Sequence, residues 1–150
     1  LLAGAGLVTG LQKYAGKTVR RRASSPKLQV LNTALLTAQS EFTLAEARKN
    51  RAFWGRLTEV AVGAHLANSA ASGDCQLYYW RERNREVDFV VRAGRQLTAI
   101  EVKSARGRHH QAGMSAFSGA FGGARKLLVG GDGIDVEAFL SKPAMRWLKP

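Results

Sequence analysis

Three stretches between Cys75 and Ser104, "CQLYYWRER", "REVDFVVRA" and "QLTAIEVKS", are rich in aromatic and β-branched residues and are separated by short polar or glycine-containing breaks. That pattern predicts three consecutive strands forming a meander. Within "QLTAIEVKS" the alternation of side chains puts Leu97, Ala99, Glu101 and Lys103 on one face and Thr98, Ile100 and Val102 on the other. Both faces start apolar, so the strand is expected to be covered on both sides, and Glu101 and Lys103 mark a polar spot against a core.

Upstream, Thr43 and Glu46 are spaced as a capping box, which predicts a helix start. Phe53, Leu57, Val60 and Ala64 recur at helical spacing as an inward stripe, and the helix is expected to run from Thr43 to about Ser69, where "ASGD" ends it. Glu59 lies beside this stripe with Gly55 and Gly63 four residues away on either side. Each helical glycine costs about 1 kcal/mol relative to alanine, so the pair predicts close approach of another backbone and a partly buried Glu59. After the meander, "HHQAGMSAFSGAF" reads as a helix and "KLLVG" as a short buried strand. "VEAFLSKPAMRWL" closes the chain as a short helical or irregular piece.

The first 38 residues read differently, as apolar pieces broken by glycine and by the basic run "KTVRRRASSPK", expected to be an exposed loop or hairpin tip. "AGKT" at 15–18 has the end of a phosphate-binding loop. Leu11 stands where the first glycine is needed, and no buried strand is expected to lead into it, so nucleotide binding is not predicted there.

Composition then narrows the partner. The 150 residues carry 23 Lys and Arg against 11 Asp and Glu, a net charge of +12. Such a surplus favours a polyanion through counterion release, with nucleic acid first in order and an anionic membrane surface second. No apolar run approaches the ~20 residues of a spanning helix. Cys75 is the single cysteine, which excludes an internal disulfide and predicts a reducing, cytoplasmic setting.

The chemistry follows from the hairpin. With Ala93 and Gly94 as a two-residue turn, Arg92 faces Arg95, Val90 faces Leu97, Asp88 faces Ala99 and Glu86 faces Glu101. Asp88 and Glu101 are then diagonal neighbours on one face, with Lys103 beside them. Two carboxylates ~6 Å apart repel by about 3 kcal/mol at an effective dielectric near 20, so the spot calls for a cation. Mg²⁺, with Mn²⁺ as substitute, takes oxygen ligands and keeps several waters. Lys103 would position or deprotonate a water for attack on a phosphodiester and stabilise the charge that develops, with Glu59 completing the shell. Ordinary ion pairing with Arg81, Arg83, Arg85 and Lys103 is the competing account. His109 and His110 are adjacent and cannot share a helix face, and Ser104 and Ser115 lack a triad context.

"EVDFVV" followed by "IEVKSA", after a helix containing "FWGRLTEVAVGAHL", resembles the core of the PD-(D/E)xK, restriction-endonuclease-like superfamily. With "SSPKLQVLNTALLTA" upstream, the chain is similar to the uncharacterised C-terminal domain of prokaryotic AAA-type P-loop ATPases. The resemblance implies an α/β fold, a mixed sheet flanked by helices, over residues 39–150, and a winged-helix-like connector over residues 1–38 that an ATPase module normally precedes. It implies Asp88 and Glu101 as metal carboxylates, Lys103 as catalytic lysine and Glu59 as the helical acid. Val87 departs from the nominal proline of the motif, and Asn32, Thr33 and Ala34 depart from an Asp-x-Gly of related domains.

Three readings remain open from these residues. One is a Mg²⁺-dependent nuclease-like domain acting on DNA. Another is a non-catalytic nucleic-acid-binding or regulatory module of an ATPase, held by Arg20, Arg21, Arg22, Arg106 and Arg108. The third is a protein-interaction domain whose "LLAGAGLV" end packs on another surface.

Overall fold

A computed structural model of the chain describes residues 3–16, 24–106 and 112–148. The meander is present as β3 (Gln76–Glu82), β4 (Arg85–Ala93) and β5 (Gln96–Lys103), paired antiparallel in sequence order. The strand expected after the glycine-rich helix is β6 (Arg125–Gly130), and it lies parallel to β5. A parallel neighbour requires a crossover, which α4 (Ala112–Ala120) supplies.

The N-terminal region enters the same sheet. β1 (Val8–Lys13) pairs antiparallel with β2 (Lys27–Val30) and parallel with β3, giving a mixed six-stranded sheet in the order β2-β1-β3-β4-β5-β6. α1 (Thr33–Ala38) follows, capped by Asn32, whose Oδ1 accepts from Ala34 N at 2.9 Å. No buried strand is expected before "AGKT"; β1 does end at Lys13, just before it, but of its residues only Leu11 is buried. Its pattern "VTGLQK" is short and interrupted by Gly10, which hid it. Lys17 and Thr18 lie outside the described residues.

The capping box forms as the spacing predicts, with Glu46 N donating to Thr43 Oγ1 at 3.3 Å and Thr43 N donating to Glu46 Oε2 at 2.8 Å. The single helix expected from Thr43 is instead two, α2 (Leu44–Lys49) and α3 (Arg51–Ala71). Asn50 makes the break: its backbone is extended and its Oδ1 accepts from Phe53 N, so it closes one helix and caps the next.

The inward face of α3 is also corrected. Thr58, Val62, Gly63, Ala64 and Leu66 are buried, whereas Phe53, Leu57 and Val60 are only half-buried. Phe53 packs edge-on against Phe42, with ring centroids 5.1 Å apart. The reason lies in β2, whose buried Gln29 donates to Val60 O at 3.2 Å and lies so close to Gly63 that a Cβ there would collide with it. A side chain, and not the expected backbone, therefore fills the space at Gly63. At Gly55 a Cβ would meet only Ser104 Oγ at 3.4 Å, an ordinary contact.

The sheet separates two apolar layers. On one side Val62 and Leu66 of α3 pack with Phe89, Val91, Ile100 and Val102, joined by Phe139 of α5 (Val136–Leu140) and Leu148 of α6 (Met145–Leu148). On the other side Met114 and Phe117 of α4 pack with Val87, Val90 and Ala99. Each such side chain contributes about 1.5–3 kcal/mol on full burial, and the covering of both sheet faces explains why β4 and β5 are so apolar.

Candidate functional site

The β4–β5 hairpin brings the candidate acids Asp88 and Glu101 close enough to act on one another. Its register pairs Ala93 with Gln96, Arg92 with Leu97, Val90 with Ala99 and Phe89 with Ile100. The turn residues are thus Gly94 and Arg95, which corrects the expected Ala93 and Gly94. Glycine belongs at the first loop position, where φ is +59°. The correction is a two-residue shift, so faces are preserved. The ladder stops at Phe89 and Ile100, one residue short of Asp88 and Glu101, and these two acids act on one another electrostatically.

A bulge adjusts the same spot from the other side. β3 pairs Tyr78 with Val90 but Trp80 with Val87, so Asp88 and Phe89 together oppose Tyr79. The extra residue breaks the alternation of β4: Val87 and Val90 both pack beneath α4, while Phe89 packs beneath α3. Bulges of this kind re-aim a side chain. Asp88 Oδ2 accepts from Val102 N of β5 at 2.9 Å.

Further charged groups stand around Asp88. Lys103 Nζ donates to Glu101 Oε1 at 2.6 Å. Lys27 Nζ, from β2, lies 2.9 Å from Glu59 Oε1 and 3.4 Å from Glu86 Oε1, and 5.7 Å from the centroid of the Phe89 ring. Arg81 reaches Glu86 more loosely, at 3.9 Å. Burial, then the charges of Glu101 and Glu59, push the Asp88 carboxyl up to about 7, against the opposing pull of the Val102 N–H and of Lys27. Burial acts to lower the pKa of Lys103, but the hydrogen bond and charge of Glu101, with Asp88 and Glu59 behind it, outweigh this and raise it. Lys27 is raised by the same contest, with Glu59 as its main partner. The two amines are therefore firmly cationic, whereas the half-buried Asp88 carboxyl ionises only at a cost.

The cluster draws on sequence-distant parts. Asp88, Glu101, Lys103 and Glu59, each expected from the sequence, act on one another electrostatically. Lys27 was missed, since nothing separates it by pattern from the other basic residues of its segment. Its place at the start of a strand is the only local signal. Glycine at 113 also matters here: α4 comes so close to β4 that a Cβ at Gly113 would strike the carbonyl oxygen of Glu86. Among the expected nucleic-acid contacts, Arg106 is exposed just beyond β5, whereas Arg20, Arg21, Arg22 and Arg108 lie outside the described residues, as do His109 and His110.

The donor set is all hard oxygen. Among the described residues no group of three or more His, Cys, Asp and Glu side chains is arranged to hold a metal ion. Asp88 and Glu101 are two carboxylates, which suits an ion that keeps waters and takes the rest of its shell from substrate. No helix among the described residues is long and apolar enough to cross a membrane.

A family model described as "Domain of unknown function (DUF4143)" matches residues 54–132, more than half of the chain, and takes in nearly all of α3, the meander, α4 and β6. No curated protein and no solved structure matches.

Proposed function

The chain belongs to the DUF4143 family, whose description names no activity, and on that premise we propose that it is a metal-dependent, nuclease-like domain acting on DNA phosphodiesters. The observation that carries the reading is Asp88, a half-buried acid driven up to about 7 by burial and then by the charges of Glu101 and Glu59, with the ammonium of Lys103 on Glu101. Such perturbation by burial and like charge is what a site built for a cation produces. The mixed sheet with helices on both faces supports a restriction-endonuclease-like core. A winged-helix-like role for the N-terminal segment, a place after an ATPase module and a cytoplasmic setting for the unpaired Cys75 belong to the same proposal.

Asp88 and Glu101 would hold a Mg²⁺ or Mn²⁺ ion, which when bound supplies Lewis acidity toward a phosphoryl oxygen. Lys103, held protonated beside Glu101, acts as a fixed cation that orients the phosphoryl group and stabilises the negative charge gathering on it. Its raised pKa favours that role over deprotonating water. Glu59 is occupied by Lys27, so its part is to hold that second cation in place. Mg²⁺-dependent cleavage of DNA is expected to fall about 100-fold or more in Lys103→Ala, and the heat of Mn²⁺ binding to disappear in Asp88→Asn. Cleavage or binding that survives these changes would overturn the assignment.

One observation favours a second reading, a catalytically silent nucleic-acid-binding or regulatory module. Lys27 already pairs with Glu59 and Glu86, and Lys103 with Glu101, so a protonated Asp88 leaves the network stable without any ion. DNA binding with no heat on Mn²⁺ titration is the outcome that selects it.

A further inference from the structure

The β3–β4 hairpin closes on a two-residue loop, Arg83 and Asn84, between the paired residues Glu82 and Arg85. Arg83 has φ +53°, the single non-glycine residue with positive φ among the described residues. A side chain in the left-handed region costs about 1–2 kcal/mol, and the first position of a two-residue hairpin loop with positive φ is where glycine is ordinarily found. The chain thus keeps a guanidinium where its backbone would be more comfortable with glycine.

Beside that loop lie two adjoining hollows on the α4 side of the sheet. One, of about 260 Å³, is lined by Trp80, Glu82, Arg83 and Arg85 together with α4. The other, of about 90 Å³, is lined by Lys13, Tyr14 and Phe121 and shares Trp80 and Glu82 with the first. Together they make one groove with an aromatic floor and a basic rim. Among the described residues Lys13, Arg83 and Arg85 form no ion pair, and Glu82 is the only acid on the lining. Three unspent cations therefore stand against one carboxylate.

The groove also points somewhere. Arg85 opens β4 three residues before Asp88, roughly 10 Å along an extended strand. Lys13 ends β1, and Trp80 lies two residues from the end of β3, at the same end of the sheet, since Lys13 pairs with Tyr79 and Trp80 with Val87. A row of unpaired cations beside the carboxylate cluster suits a chain of phosphates better than a compact anion.

We propose that this groove binds the phosphodiester backbone of a DNA strand, with Arg83, Arg85 and Lys13 on its phosphates, and leads that strand to Asp88 and Glu101. The proposal rests on the nuclease-like reading for the destination of the strand, and on the groove alone for its binding. The test is therefore binding without chemistry: anisotropy of a labelled DNA oligonucleotide with the intact chain in EDTA, across a series of salt concentrations. Arg83→Gly combined with Arg85→Ser is expected to weaken binding about tenfold or more and to flatten the log–log salt slope by about 2. Arg83→Gly alone should keep or raise the melting temperature, separating lost contacts from lost folding. Arg92→Ser with Arg95→Ser removes the same charge at the opposite end of the sheet and should leave the slope nearly unchanged. An unaltered slope in the groove variant, or an equal change in the opposite-end variant, would overturn the proposal. So would competition by a free mononucleotide as effective as that by the oligonucleotide. Failure of Mg²⁺-dependent cleavage in the parent chain sinks the nuclease-like reading and leaves this one standing.

Discussion

The two ends of the six-stranded sheet use the same strands and treat charge in opposite ways. Where β4 begins and β5 ends, Glu86, Asp88, Glu101 and Lys103 are half-buried and are joined by Lys27 and Glu59 from other elements. Where β4 ends and β5 begins, Arg92 and Arg95 are exposed, Gly94 makes the turn at φ +59°, and an open hollow of about 250 Å³ is bordered by Asp74, Cys75 and Arg92. There water solvates the charges, and burial followed by the charge of Asp74 only raises the pKa of the Cys75 thiol, which keeps it unreactive. The first end concentrates charge in half-buried ion pairs around an acid that resists ionising; the second dissipates it. A fold needs ends like the second, whereas an end like the first costs stability and is retained where it does something.

The largest effect that would sharpen this contrast is at Asp88. A carboxyl with a higher pKa folded than unfolded binds its proton more tightly in the native state, so its contribution to stability is intact below about pH 4 and is lost as pH rises through about 7. The gap from 3.8 to about 7 corresponds to about 4 kcal/mol at alkaline pH. Asp88→Asn keeps an acceptor for Val102 N–H but cannot ionise. In urea denaturation with EDTA it is expected to exceed the parent by about that amount at pH 8 and to match it at pH 4. A constant difference across this range would break the account.

Gly63→Ala comes next, since its methyl would displace the buried Gln29 amide that donates to Val60 O. A loss of about 1–3 kcal/mol by chemical denaturation is expected, with a weaker response of the site because β2 carries Lys27. Lys27→Met leaves Glu59 and Glu86 without their shared cation. For these partly exposed groups a destabilisation of about 1–2 kcal/mol in urea denaturation is expected, between the values for exposed and buried pairs, and it should shrink as salt is added. At the opposite end, Arg92→Ser with Arg95→Ser should change stability by less than about 0.5 kcal/mol. A larger loss there would erase the distinction between the two ends.

The legible part of the site was its parity. Alternation along "QLTAIEVKS" was enough to put Glu101 and Lys103 on one face, and the hairpin put Asp88 with them under either register, because a shift of two residues preserves the face. Glu59 was marked by its flanking glycines. The register that pairs Phe89 with Ile100 was not legible, since it turned on whether Ala93 or Gly94 takes the positive φ. The bulge at Asp88 and Phe89 was not legible either, as it arises from pairing with Tyr79 on a separate strand.

By itself the sequence determined the features that depend on neighbours a few residues apart: the strands β3 to β5, the capping box of Thr43 and Glu46, and the faces on which the acids lie. Only the tertiary structure decided that β1 and β2 extend the sheet, that α3 turns its Val62 and Leu66 ridge inward, and that Lys27 reaches Glu59 and Glu86 across 32 and 59 residues of chain. Periodicity and capping are set by bonds within one element. The position of a cation among buried acids is set by the balance of desolvation and Coulomb attraction among elements already packed, and no single stretch of chain contains that balance.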